Sequence, residues 1–167
     1  MTGRADRLGG TPSLRDPTVL LATWFGAGLL PKAPGTWGSL AALPFAWLIA
    51  WAGGWPALAL AIVLVSLVGW WAADRYIIQV GHEDPGQVVI DEVAGQWLVL
   101  LLTPPDIVSY AVGFALFRLF DITKPWPAGW ADRAVKGGLG TMLDDLLAGA
   151  YGLALMLLFA LARKAFI

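Results

Sequence analysis

Two adjacent pairs of acids interrupt an otherwise apolar chain: Asp91-Glu92 inside Val88–Trp97, and Asp144-Asp145 ahead of the apolar run Leu146–Ala162. Acidic side chains flanked by apolar residues at a membrane-helix end are costly unless they are paired or bound to a cation. One such pair has a bland reading, because carboxylates in a first turn complement the helix dipole by about 0.3–1 kcal/mol. Two pairs, with Asp121 closing a third apolar segment, point instead to a cation site. The candidate ligands Asp91, Glu92, Asp144 and Asp145 are hard oxygens, and the chain has no cysteine and one histidine. That donor set suits Mg²⁺ better than Zn²⁺. Magnesium keeps several waters and binds through one or two carboxylates plus phosphate oxygens, so these acids could hold one or two ions.

Lys32 and Lys124 supply the opposite charge, and each is held beside proline, in Pro31-Lys32-Ala33-Pro34 and Lys124-Pro125. Proline restricts the neighbouring chain, which suits a residue that must hold a phosphate in place. Interfacial anchoring of a snorkelling lysine explains either one taken alone. Gly35-Thr36-Trp37-Gly38-Ser39 leads into an apolar stretch, so its free N–H groups could cradle an anion. The sequence is not a Walker loop, and Thr36 or Ser39 as a helix cap fits it too. His82, in Gly81-His82-Glu83-Asp84-Pro85, is a candidate general acid, although an exposed loop histidine without a role reads the same way. Gly95, Gly113 and Gly149 fall in apolar segments where small residues allow close helix contact.

The elements that must position these groups are helices in a membrane. Of 167 residues, 58% are hydrophobic and 14% charged, against about a quarter charged in soluble domains. The net charge of −1 gives no field that would attract nucleic acid. No residue from Ala33 to Ala73 is charged, and Gly53-Gly54-Trp55-Pro56 interrupts the run. A crossing helix needs roughly 20 apolar residues, so two spans are expected, about Trp37–Trp51 and Pro56–Ala73. A further span covers Leu146–Ala162. Val93–Thr103 and Ile107–Phe117 are shorter, and either cross or form a hairpin sunk from one face. The expected fold is all-α, a polytopic bundle of about four to five apolar helices with its motif loops on the cytoplasmic face. It forms one domain over 1–167, with 1–16 a flexible tail. Arg4, Arg7 and Arg15 precede the apolar run Val19–Leu30 in the manner of a secretory signal, but no small-x-small cleavage site follows. If the apolar segments come in pairs, every basic residue except Arg163 and Lys164 shares one face, which the positive-inside rule makes cytoplasmic.

Four stretches together, "LLPKAPGTWGSLAALP", "VVIDEVAGQW", "FRLFDITKPWP" and "GLGTMLDDLLAGAY", closely resemble the phosphatidylglycerophosphatase A family in content, order and spacing. The resemblance implies a Mg²⁺-dependent, multi-pass enzyme of the bacterial inner membrane with its active site towards the cytoplasm. Its substrate would be the phospholipid phosphatidylglycerophosphate, hydrolysed to phosphatidylglycerol and inorganic phosphate. It also implies that the polar motif positions are Lys32, Thr36, Asp84, Asp91, Glu92, Asp121, Lys124, Asp144 and Asp145. On that reading the carboxylates and Lys124 are catalytic, Lys32, Thr36 and Lys124 bind the substrate phosphate, and His82 and Asp84 are accessory. Asp121 as the nucleophile of a phosphoenzyme stays open beside water attack.

Two other classes compete. A membrane phosphotransferase acting on CDP-lipids would carry an Asp-x-x-Asp-Gly repeat, which this chain lacks, and histidine-based lipid phosphatases need two histidines. A divalent-cation transport protein would line a midplane pathway with its acids, whereas these gather at helix ends.

Overall fold

The computed structural model describes residues 12–165, with side chains described to residue 162. Most of the tail expected over 1–16 lies outside the described residues, as do the side chains of Arg163 and Lys164. All regular elements among the described residues are helical.

The first apolar run does not build one long helix. Asp16 caps α1 (Pro17–Ala22) by accepting from the Thr18 N–H at 2.8 Å, and proline occupies the first turn, where its missing N–H is harmless. The chain then reverses through positive φ at Trp24, Phe25 and Gly26 into a 3-10 turn at Ala27–Leu29. The segment packs instead as a plug, tied down by the Val89 N–H donating to the Ala22 carbonyl at 2.9 Å.

Helix α2 (Pro34–Val80) contains the two spans expected from the charge-free run, broken at Gly54 with φ 65° and ψ −165°. That conformation is essentially open to glycine alone. The break is a reversal. Gly38 lies against Val89, and Gly69 lies against Ile90. On a straight helix these glycines would stand roughly 46 Å apart, yet they touch adjacent residues. Residues 34–53 and 55–80 are therefore two antiparallel arms.

Helix α3 (Ile90–Leu100) sits between α2 and α6 (Gly137–Ala165), against which it packs most extensively. Almost every one of its residues is buried, which explains an apolar pattern without a solvent face. Glycine sets the spacing. A Cβ on Gly149 would stand 2.6 Å from the Gly95 carbonyl oxygen, and one on Gly113 would stand 2.7 Å from Leu100 Cδ2. The Trp97 indole donates to the Ala42 carbonyl at 2.9 Å and pins α3 to the first arm of α2.

α4 (Ile107–Thr123) runs back antiparallel to α3, opened by Asp106 accepting from the Ser109 N–H at 2.9 Å. The two short segments are thus an antiparallel pair, with arms of roughly 16 and 25 Å, whose turn lies beside Trp47 and Leu48 of α2. α5 (Ala128–Ala134) is a short helix that sequence patterning missed, since its seven residues are too few to show a period.

Among the described residues two helices, α2 and α6, are long and apolar enough to cross a membrane, fewer than the four to five expected, although α2 is folded into two arms. Large apolar side chains on these helices face outward, among them Leu48, Leu60, Leu67 and Leu158, and contiguous exposed apolar surface of this kind marks a membrane or partner contact. Trp51 and Trp55 are 77% and 61% exposed at the Gly54 reversal, and Trp126 is 79% exposed at the opposite end of the bundle. Such placement suits the two water–membrane interfaces.

Candidate active site

The helix returns bring the acids to one end of the bundle. α3 starts there with Asp91 and Glu92, α4 ends there with Asp121 and Lys124, and α6 passes through with Asp144 and Asp145. Together with Ala33, Pro34 and Gly35 at the start of α2, these residues wall a cavity of about 630 Å³.

The sequence places Asp144-Asp145 at the opening of an apolar helix, but α6 begins at Gly137 and carries no acid in its first turn. Its N-terminal N–H is capped from elsewhere, with Asp74 Oδ1 accepting from Gly138 at 2.6 Å. Asp144 and Asp145 lie two turns inside the helix, where dipole capping has no reach. Asp91 and Glu92 do occupy the first turn of α3, yet neither serves as its N-cap.

Ligand-type oxygens of Asp91, Glu92 and Asp145 all lie within 4.8 Å of one another. Asp91 and Asp145 are only 6% and 3% exposed. Asp91 Oδ1, Glu92 Oε2 and Asp145 Oδ2 are buried and lack a hydrogen-bond partner. Desolvated carboxylates this close repel one another, and leaving a buried charge unpaired is strongly unfavourable. A hard divalent cation would satisfy these oxygens and relieve the repulsion, so the residues fit such an ion. Asp144 differs from the other three, because one of its oxygens is held by the Lys124 ammonium at 2.6 Å.

Lys124 is the hinge of a second cluster. Its ammonium lies 2.5 Å from Asp132 Oδ1 as well as 2.6 Å from Asp144 Oδ2. Burial disfavours its charge, but the two carboxylates outweigh burial and raise its pKa, so it stays protonated. Its backbone has φ 41°, an uncommon left-handed value for a side chain of this size, where it caps α4. Beside it, Arg118 pairs with Asp121 at 2.5 Å and approaches Ser39 Oγ at 3.5 Å. Gly35 makes this packing feasible, since a Cβ there would collide with Glu92 Oε1 and stand 3.0 Å from Arg118 Nη1.

Of the residues singled out by sequence, the structure gathers Asp84, Asp91, Glu92, Asp121, Lys124, Asp144 and Asp145 around the cavity. Lys32, Thr36 and His82 stand outside its walls. Lys32 and His82 are exposed, and His82 Nδ1 accepts the Asp84 N–H at 3.2 Å. Ser39 is no helix cap, because its hydroxyl donates to the Gly35 carbonyl within α2. Sequence reasoning passed over Arg118, Asp132, Arg133 and Lys136, all of which line the cavity. The Arg118–Asp121 pair at i,i+3 was legible as a helix-face ion pair. Asp132 was not, because α5 is what carries it to Lys124.

The family model for phosphatidylglycerophosphatase A matches residues 20–160. Phosphatidylglycerophosphatase A of Escherichia coli K12 is 41% identical over 81% of this chain and 79% of its own length. The Haemophilus influenzae protein of the same name is 37% identical over 89% of this chain and 91% of its own. A Bacteroides thetaiotaomicron protein named for phosphatidylinositol-3-phosphatase activity is 42% identical over 87% of this chain and 92% of its own. No solved structure matches the chain. Every residue around the cavity falls within the matched span, and the chain belongs to the phosphatidylglycerophosphatase A family.

Proposed function

We propose that the chain is a membrane phosphatase that hydrolyses phosphatidylglycerophosphate to phosphatidylglycerol and inorganic phosphate. The observation that carries this reading is one cavity holding both the carboxylate triad Asp91, Glu92 and Asp145 and the cations Arg118 and Lys124, in a chain of this family. Asp91, Glu92 and Asp145 would hold Mg²⁺, which when bound would neutralise phosphate oxygens and act as a Lewis acid. Lys124 and Arg118 stabilise the negative charge that develops on the phosphoryl oxygens. Asp121, held in place by Arg118, accepts the proton of the attacking water as the water oxygen bonds to phosphorus. The bond from phosphorus to the glycerol oxygen breaks in line, the departing alkoxide takes a proton from water at the open mouth of the cavity, and the hydroxide so formed takes back the proton held by Asp121.

Phosphate release from phosphatidylglycerophosphate by purified protein in detergent is the direct test. Excess EDTA should abolish it and Mg²⁺ should restore it, because hard oxygens dominate the site. Full activity in chelator would remove the metal from the reading. The Bacteroides relative's name favours a second headgroup, so phosphatidylinositol 3-phosphate belongs in the same assay. Faster release from that lipid would transfer the reading to an inositol substrate.

The two arms of α2 and the apolar helix α6 support reading the enzyme as a multi-pass protein of the bacterial inner membrane. Its cavity faces the cytoplasm, since Arg118, Lys124, Arg133 and Lys136 all line it. The absence of native cysteine allows a clean check. Single cysteines replacing exposed Glu83 and Trp126 should react with an impermeant thiol reagent only from the cytoplasmic side, and one at exposed Trp55 only from the other. Labelling of positions 83 and 126 from opposite sides would dismantle this arrangement.

A further inference from the structure

A second cavity, of about 650 Å³, lies between the first arm of α2 and α4, and no charged residue lines it. Leu40, Pro44 and Trp47 form one wall, and Ile107, Ala111 and Phe114 form the other. The groove opens outward, since Ile107 is 80% and Leu48 61% exposed. Trp47 and Tyr110 close one flank with ring centroids 5.0 Å apart.

The groove lies next to the polar cavity, with no lining residue in common and Arg118 between them. Arg118, which lines the polar cavity, bridges from α4 to Ser39 of α2. Leu40 follows Ser39 directly, and Phe114 lies one turn below Arg118 on α4, so the groove begins where that bridge ends. From Arg118 to Ile107 is roughly 16 Å along the helix, close to half of the roughly 30 Å hydrocarbon thickness of a bilayer. A molecule whose anionic head meets Arg118 therefore has, directly below, an apolar channel about as deep as one leaflet.

We propose that this groove holds an acyl chain of the substrate lipid while its phosphorylated head occupies the carboxylate–lysine cavity. The inference rests on the lipid-phosphatase reading. The groove makes the enzyme select for acylated substrate, with Arg118 at the border between head and tail. Bulk lipid touching an ordinary apolar helix face would give no such selection.

The test compares diacyl phosphatidylglycerophosphate with its deacylated headgroup in mixed micelles, using full-length protein. Ala111 is exposed, so Ala111→Trp fills the groove without disturbing the core. Val108→Trp, on another exposed position outside the groove walls, controls for added bulk. In Ala111→Trp the ratio of kcat/KM for diacyl over deacylated substrate should fall at least about tenfold, the loss expected from displacing only two methylenes. In Val108→Trp the ratio should hold. An unchanged ratio in Ala111→Trp overturns the groove alone, and so does a changed oligomeric state in that variant without a change in ratio, which would make the groove an interface between copies. No phosphate release by the parent protein from either substrate would overturn the lipid-phosphatase reading itself.

Discussion

Asp91→Asn and Asp145→Asn should each lose about 10²-fold or more in kcat, roughly 2.7 kcal/mol of transition-state stabilisation, while inserting and folding like the parent. Asparagine keeps the size and most of the hydrogen-bonding capacity of aspartate but removes the charge that a cation requires. Oxygens of both residues lie within 4.8 Å of each other and of Glu92, so the loss of either leaves an incomplete set for a hard ion. The same crowding sets the sign of the stability effect. Without Mg²⁺, each substitution relieves repulsion among buried carboxylates and should raise the melting temperature in detergent. With Mg²⁺, the parent should gain stability by binding and the variants should gain less. A helix-capping role predicts the reverse, a stability loss of about 0.3–1 kcal/mol with turnover nearly intact. Position already weakens that alternative for Asp145, two turns inside α6. Near-parental turnover in both variants would remove the cation site altogether.

Much of this site is legible in the sequence because expensive residues advertise themselves. A carboxylate flanked by Val, Ile and Leu demands a reason, and that demand picks out Asp91, Glu92, Asp144 and Asp145 without a structure. The reversal at Gly54 is legible too, because a charge-free run too long for one span contains a Gly-Gly-Trp-Pro break. Cation partners are harder to read, since lysine and arginine near membrane ends are ordinary. Lys32, set between prolines, looks better placed than Arg118, yet Arg118 meets Asp121 and Lys32 stays outside the cavity. Helix starts mislead for a physical reason as well. Hydropathy marks where the apolar stretch of α6 begins, near Leu146, whereas hydrogen bonding starts the helix at Gly137, where Asp74 supplies the cap. That shift converts Asp144 and Asp145 from apparent caps into side chains aimed into the bundle. Asp132 depends on α5 and on the path of the chain from Lys124 to α6, which no local pattern encodes.

Lys124→Met should cost about 10²–10³-fold in kcat, the range seen when one preorganised electrostatic donor is removed from a reacting centre. The substitution also strips the partner from Asp144, which is 5% exposed, so the variant should melt earlier. Two roles for the lysine are thereby mixed. It neutralises Asp144 and Asp132, and in the proposed reaction it meets the phosphoryl oxygens. The double variant Lys124→Met with Asp144→Asn separates them, because a neutral amide at position 144 no longer needs a cation beside it. If Lys124 contacts the substrate, the double variant should regain most of the melting temperature while turnover stays down by at least about 10²-fold. If Lys124 serves only to neutralise Asp144, turnover should return together with stability. The left-handed backbone at Lys124 argues for the first outcome. A long side chain held in a sparsely populated conformation, with its ammonium fixed by two carboxylates, is the kind of strain that gathers at functional sites. Recovery of parental kcat in the double variant would reduce Lys124 to a structural counter-ion and leave Arg118 to carry the phosphate.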